Sequence, residues 1–203
     1  MWLDEAYLEV RGFRFEAAQY AAKLFSKTYS SIRLYHATRS EHPEFFRTNG
    51  IPISDFGYLE KRAYKFFDDE KGVRAAIQEI ADSGYSTHNC GKIWTCLDSV
   101  EIQGNAGHYL KSGPEYIQNI GRILGRKHEL QDFGIPTLIG FDIKIADLAE
   151  KVLHSVVRAA VEAIFHNWNR SRRRRLDSPQ SLCVLLEAPV SPSKIREIIH
   201  PHT

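Results

Sequence analysis

The chain has 203 residues, 43% of them hydrophobic and 26% charged, a balance that suits an ordinary folded domain and excludes a disordered or fibrous chain. A surplus of only two positive charges over the whole length gives no global steering toward nucleic acid or a membrane surface. Three cysteines are too few for a disulfide scaffold and point to a reducing compartment.

The amino terminus, MWLDEAYLEVRGFRFE, mixes acids with apolar residues and lacks the basic start and apolar core of a signal peptide. No apolar run approaches membrane-spanning length, so a cytoplasmic protein without a membrane partner is expected. Delivery by a route that needs no amino-terminal signal is compatible with this reading. Residues 1–203 read as one domain, with 1–30 as a helical extension.

In chain order, FRFEAAQYAAKLFSKTY (13–29) reads as an amphipathic helix. SIRLYHAT (31–38) reads as a short strand, and EHPEFFRTNGIP (41–52) as one or two helical turns closed by Asn49-Gly50 and stopped by Pro52. DDEKGVRAAIQEIADSG (68–84) is an expected helix, acid-rich at its start and closed by Gly84. KIWTCLD (92–98) has the β-formers of a strand, and GPEYIQNIGRILG (113–125) reads as a helix with Pro114 in its first turn.

PTLIGFDIKI (136–145) is an expected strand, followed by a long helix over 146–170 with apolar residues at i, i+3, i+4 and i+7. SLCVLLEAPV (181–190) reads as a strand and SPSKIREIIH (191–200) as a short helix with a serine cap. These elements describe an α+β domain of five to seven short strands with helices inserted between them. Strands and helices do not strictly alternate, and no glycine-rich strand–turn–helix fingerprint occurs, which argues against a doubly wound nucleotide-binding sheet.

Chemistry concentrates in three stretches. His36 and Thr38 lie two apart on a strand and share a face, with Tyr35 and Ala37 on the other. Two hydrogen-bonding side chains aimed into a core are costly unless satisfied, so this pair suggests the wall of a cleft, although a lone strand histidine is also an ordinary core residue. CGKIWTCLD places Trp94 on a strand. GNAGHYLKSGPEYI sets His108 and Tyr109 among glycines, which either form plain turns or let a flat ligand approach the backbone.

The order LYHAT, GKIWT, HYL resembles the core of the ADP-ribosyltransferase superfamily, in its histidine–tyrosine–glutamate branch with the poly-ADP-ribose polymerases and diphtheria-like toxins. The resemblance implies split antiparallel β-sheets with inserted and flanking helices, and NAD as substrate. It casts His36 as the contact to the nicotinamide-side ribose, with Ala37, Thr38 and Arg39 beside it, and Trp94 and Tyr109 as the two rings around nicotinamide. Gly50, in TNGIPIS, matches the family's Gly-Ile segment. Arg39 and Arg47 become candidate diphosphate contacts. His36, Tyr109 and Gln180 form the implied catalytic set.

Gln180 stands where the family carries its glutamate. It can hydrogen-bond a ribose hydroxyl but brings no negative charge, so Glu115 and Glu187 are candidate substitute acids; each also has a plain role, at a helix start and a strand end. The helix and basic loop over 146–176 read as an insertion before the last strand. Arg172, Arg173, Arg174 and Arg175 are either a solvated loop complementing the helix end or a phosphate-binding patch for nucleic acid or NAD.

The function implied is transfer of ADP-ribose to a protein or nucleic-acid acceptor, as a toxin, defence factor or effector. The competing readings are an inactive NAD-, ADP-ribose- or nucleic-acid-binding module of the same fold, and an NAD-dependent RNA 2′-phosphotransferase. A metal site from His88, Cys90 and Cys96, joined by Cys183 or His108, lacks the paired two-residue spacing of zinc sites, and no metal is expected. Cys90 as a nucleophile lacks an identifiable base.

Overall fold

In the computed structural model, which describes residues 15–53, 55–83, 91–104, 107–157 and 183–201, the run SIRLYHATRS forms the middle strand of an antiparallel sheet. This strand, β1 (Ser31–Ser40), pairs along its whole length with β3 (Ile135–Lys144), from Ser31 opposite Lys144 to Ser40 opposite Ile135. On its other side lies β2 (Ile93–Cys96), which pairs over four residues with β4 (Cys183–Leu186). The outer strand β5 (Ile195–Ile199) lies against β3, with a register shift at Gly140/Phe141. The order is β4-β2-β1-β3-β5.

Alternation along the strands sorts the core into two faces. Leu34, Ile93, Ile139, Phe141, Val184 and Leu186 pack on one side, covered by Ala22 and Phe25 of α1 (Phe15–Thr28) and by Val152, Val156 and Val157 of the helical stretch 150–157. Ala37, Cys96 and Leu138 pack on the other, against Ile102 of α5 (Ser99–Gln103) and Leu110 of α6 (His108–Ser112).

A second apolar cluster belongs to helices alone. It joins Leu59, Ala63 and Phe67 of α3 (Phe56–Phe67) to Val73, Ala76 and Ile80 of α4 (Glu70–Asp82) and to Tyr116, Ile117 and Ile120 of α7 (Glu115–Ile123). Asp55 and Asp69 cap α3 and α4 by accepting from the amides of Gly57 and Gly72, each at 2.9 Å. The short α2 (Phe45–Asn49) ends at Gly50, whose φ of 74° suits glycine.

Three expectations change. Residues 191–200 are not a helix: one 3-10 turn at Pro192–Lys194 leads into β5, because β-branched Ile195, Ile198 and Ile199 gain a strand's pairing along the edge of β3. Ser191 makes no side-chain cap there. The long helix does not begin at 146: a 3-10 turn at Ile145–Asp147 comes first and the helix starts at 150, with residues 158–182 outside those described. Of the strand expected over 181–190, Cys183–Leu186 is strand and 181–182 lie outside the described residues, while Val190 makes an isolated bridge to Ile51.

All five described strands lie in one sheet, where split sheets were expected. The split is local. β1 and β2 meet at a single paired position, Tyr35 opposite Cys96, and separate beyond it.

Candidate functional site

The site begins where β1 and β2 part. Past Tyr35 the Trp94 carbonyl has no β1 amide opposite it in the ladder, and the His36 side chain takes that place, its Nδ1 2.8 Å from the Trp94 oxygen. A carbonyl only accepts, so Nδ1 carries the proton and Nε2 of the neutral ring is an acceptor. Burial pushes the His36 ring below the ordinary histidine range, opposed in part by the Trp94 carbonyl. The imidazole is thus held neutral, in one tautomer and one orientation.

This ring lines a cavity of about 520 Å³, the size of a small-ligand site. His36 and Thr38 belong to one face of β1 and Ala37 to the other, yet all three border the space, because the parted strand exposes its edge. Trp94 and Tyr109 both line it from the opposite side of the sheet, Tyr109 half-buried at the start of α6. The Tyr109 ring lies 4.1 Å from that of His108, centroid to centroid. Glu115 also borders the cavity, its Oε1 3.4 Å from His108 Nε2.

The far wall was not foreseen. α3 covers a segment for which no element was expected, yet it contributes Phe56, Tyr58 and Arg62 to the cavity, which Phe45 and Ile53 also line. The available signal was an aspartate at 55 followed by apolar residues at 56, 59, 63 and 67, a capped helical stripe. Phe56 stacks on Tyr116 at 4.6 Å, and Tyr116 donates its hydroxyl to Glu60 at 2.9 Å. Burial, then Glu60, raises the Tyr116 phenol well above its usual value, so it stays a donor. Arg62 lies over the rings of Phe133 and Tyr58, 5.0 and 5.8 Å from their centroids.

Other expected residues serve elsewhere. Arg39 borders the cavity, but its guanidinium donates to the carbonyls of Phe133, Leu110, Lys111 and Gly134, so backbone takes four of its five N–H groups. Arg47 is exposed and pairs with Glu44 at 2.9 Å, outside the cavity lining. Gly50 does not line the cavity either. A Cβ there would fall 2.0 Å from the Val190 carbonyl oxygen, so the crossing of two chain segments requires glycine.

Glu187 points to Lys151, 2.5 Å away, which holds its carboxyl below the ordinary range, and it does not line the cavity. Gln180 and Arg172, Arg173, Arg174 and Arg175 lie outside the described residues, as do His88 and Cys90. Among the described residues no three His, Cys, Asp or Glu side chains gather as a metal site, and no helix is long and apolar enough to cross a membrane.

No protein-family model, no curated protein and no solved structure matches this chain. The geometry of the cavity therefore carries the functional argument alone.

Proposed function

We propose that the cavity binds NAD and that the protein transfers its ADP-ribose group to a protein or nucleic-acid acceptor. The observation that carries this reading is the His36 Nδ1–Trp94 carbonyl bond, which presents a neutral ring acceptor beside two aromatic side chains in one cavity. Nε2 accepts a hydrogen bond from the nicotinamide-side ribose. Trp94 and Tyr109 flank the nicotinamide ring, a flat group suited to aromatic faces. Arg62 takes the diphosphate, in place of Arg39 and Arg47.

In the reaction the bond between the ribose C1′ and the nicotinamide nitrogen breaks, and its electron pair neutralises the pyridinium. The acceptor's nucleophile forms a new bond to C1′ and loses its proton. Little proton transfer to the leaving group is needed, so positioning and charge supply the rate. Glu115 is the carboxylate on the Tyr109 side of the cavity and stabilises the positive charge that develops on the ribose.

The test is incubation of the purified protein with labelled NAD and a cell lysate. Nicotinamide release with label on an acceptor supports the reading, and loss of both in His36→Ala assigns the site. A second reading, NAD or ADP-ribose binding without turnover, is favoured by the engagement of both cavity glutamates: Glu41 meets Lys65 and Glu115 meets His108, each at 3.4 Å. Under it, NAD raises the melting temperature but no nicotinamide appears.

A further inference from the structure

On the sheet face away from His36, Cys96 of β2 stands directly opposite Cys183 of β4, and their sulfurs are 3.4 Å apart. Directly paired residues of antiparallel strands have Cα separations of about 4.5–5.5 Å, inside the range of about 4.4–6.8 Å that a disulfide spans. The sulfurs need to close by about 1.4 Å to reach bonding distance, a movement of side-chain torsions that leaves the strands in register. The two thiols differ in access. Cys96 is 2% exposed, whereas Cys183 is only partly buried.

We propose that Cys183 and Cys96 are a reversible oxidation site at which a peroxide closes a cross-strand disulfide. The Cys183 thiolate attacks one peroxide oxygen; the O–O bond breaks, and the displaced oxygen leaves as water after taking a proton. Cys183 becomes a sulfenic acid. The Cys96 thiolate then attacks the Cys183 sulfur, the S–O bond breaks, and a second water departs as the S–S bond forms. Two thiols are oxidised by two electrons and one peroxide is reduced to two waters. The proposal does not depend on what the cavity binds, although the bond would tie β4 to the strand that carries Trp94.

The test treats the full chain with equimolar hydrogen peroxide, blocks remaining thiols with an alkylating agent and maps the peptides by mass. The expected product is one peptide pair joined through Cys96 and Cys183, lighter by two hydrogens and separated by dithiothreitol. Oxidised protein should melt about 5–15 °C higher, since the bond closes a long loop. Cys96→Ser should trap a sulfenic acid on Cys183 that a 1,3-diketone probe labels, and in Cys183→Ser residue 96 should stay unmodified. Full alkylation of both thiols after peroxide, cross-linking of either to Cys90, or labelling of Cys96 in Cys183→Ser would each overturn the proposal.

Discussion

Arg39 Nη2 stands 2.8 Å from the carbonyl oxygen of Gly134, and the same guanidinium reaches the carbonyls of Phe133 and Leu110 at 2.7 and 3.0 Å. One buried cation thereby fastens the central strand to the turn before β3 and to the end of α6. Hydrogen bonds from a charged donor are worth about 1.5–3 kcal/mol each, and removing the donor strands buried carbonyls. Arg39→Ala is expected to lower unfolding stability by about 3–5 kcal/mol in a urea titration. Arg39→Lys should restore only part of it, because an ammonium lacks the planar fork that reaches both sides.

Protonation of His36 is disfavoured by burial, so its folded pKa lies below the unfolded value of about 6.5. Between those two values the unfolded chain binds the proton and the folded one does not. Stability is therefore full above the unfolded pKa and falls as pH drops toward the folded one, by at most about 1.4 kcal/mol per pH unit. His36→Gln should flatten that part of the pH–stability curve. Nicotinamide release should likewise persist below pH 6.5 before it fails, since the neutral ring is the working form.

Glu115 and Glu187 separate by position. Glu115→Gln should reduce nicotinamide release about a hundredfold with little change in NAD affinity, the pattern of a group that acts on developing charge. Glu187→Gln breaks only an exposed pair with Lys151 and should leave turnover intact and stability within about 1 kcal/mol. Equal rates for the two variants would remove Glu115 from the mechanism.

Arg62→Met should weaken NAD binding about tenfold, measured by calorimetry, and the loss should shrink at high salt as screening weakens the wild-type contact. Its contacts to Phe133 and Tyr58 are worth about 0.5–1 kcal/mol, so the fold should tolerate the change.

Gly50→Ala should lower stability by about 2 kcal/mol or more, because it adds a Cβ at positive φ against the Val190 carbonyl. Nicotinamide release per folded molecule should be unaffected, since residue 50 does not line the cavity.

What the sequence made legible were elements whose pattern is local. The middle strand, α4 and α7 follow from alternation, an acid-rich helix start and a proline in a helix's first turn. The family resemblance put His36, Thr38, Trp94 and Tyr109 together, and all four line one cavity. The failures were tertiary. Ile195–Ile199 is helical by spacing and becomes a strand only because β3 offers an open edge. Arg39 looks like a ligand contact beside His36 until two distant backbone segments converge on it. Arg62 was invisible because nothing in its own segment says that α3 lines the same cavity as β1 and β2.

The bridge between Ile51 and Val190 has a temporal consequence. During synthesis the chain makes β1, α2 and the cavity-lining residues 51–53 first, but the backbone partner of Ile51 emerges only later, together with the outer strands β4 and β5. Amino-terminal segments can begin to organise as they appear, yet long-range pairings wait for both ends. The pocket around His36 is therefore completed only when β4 and β5 arrive, and a chain interrupted before Val190 should carry every described cavity-lining residue and still lack a competent site.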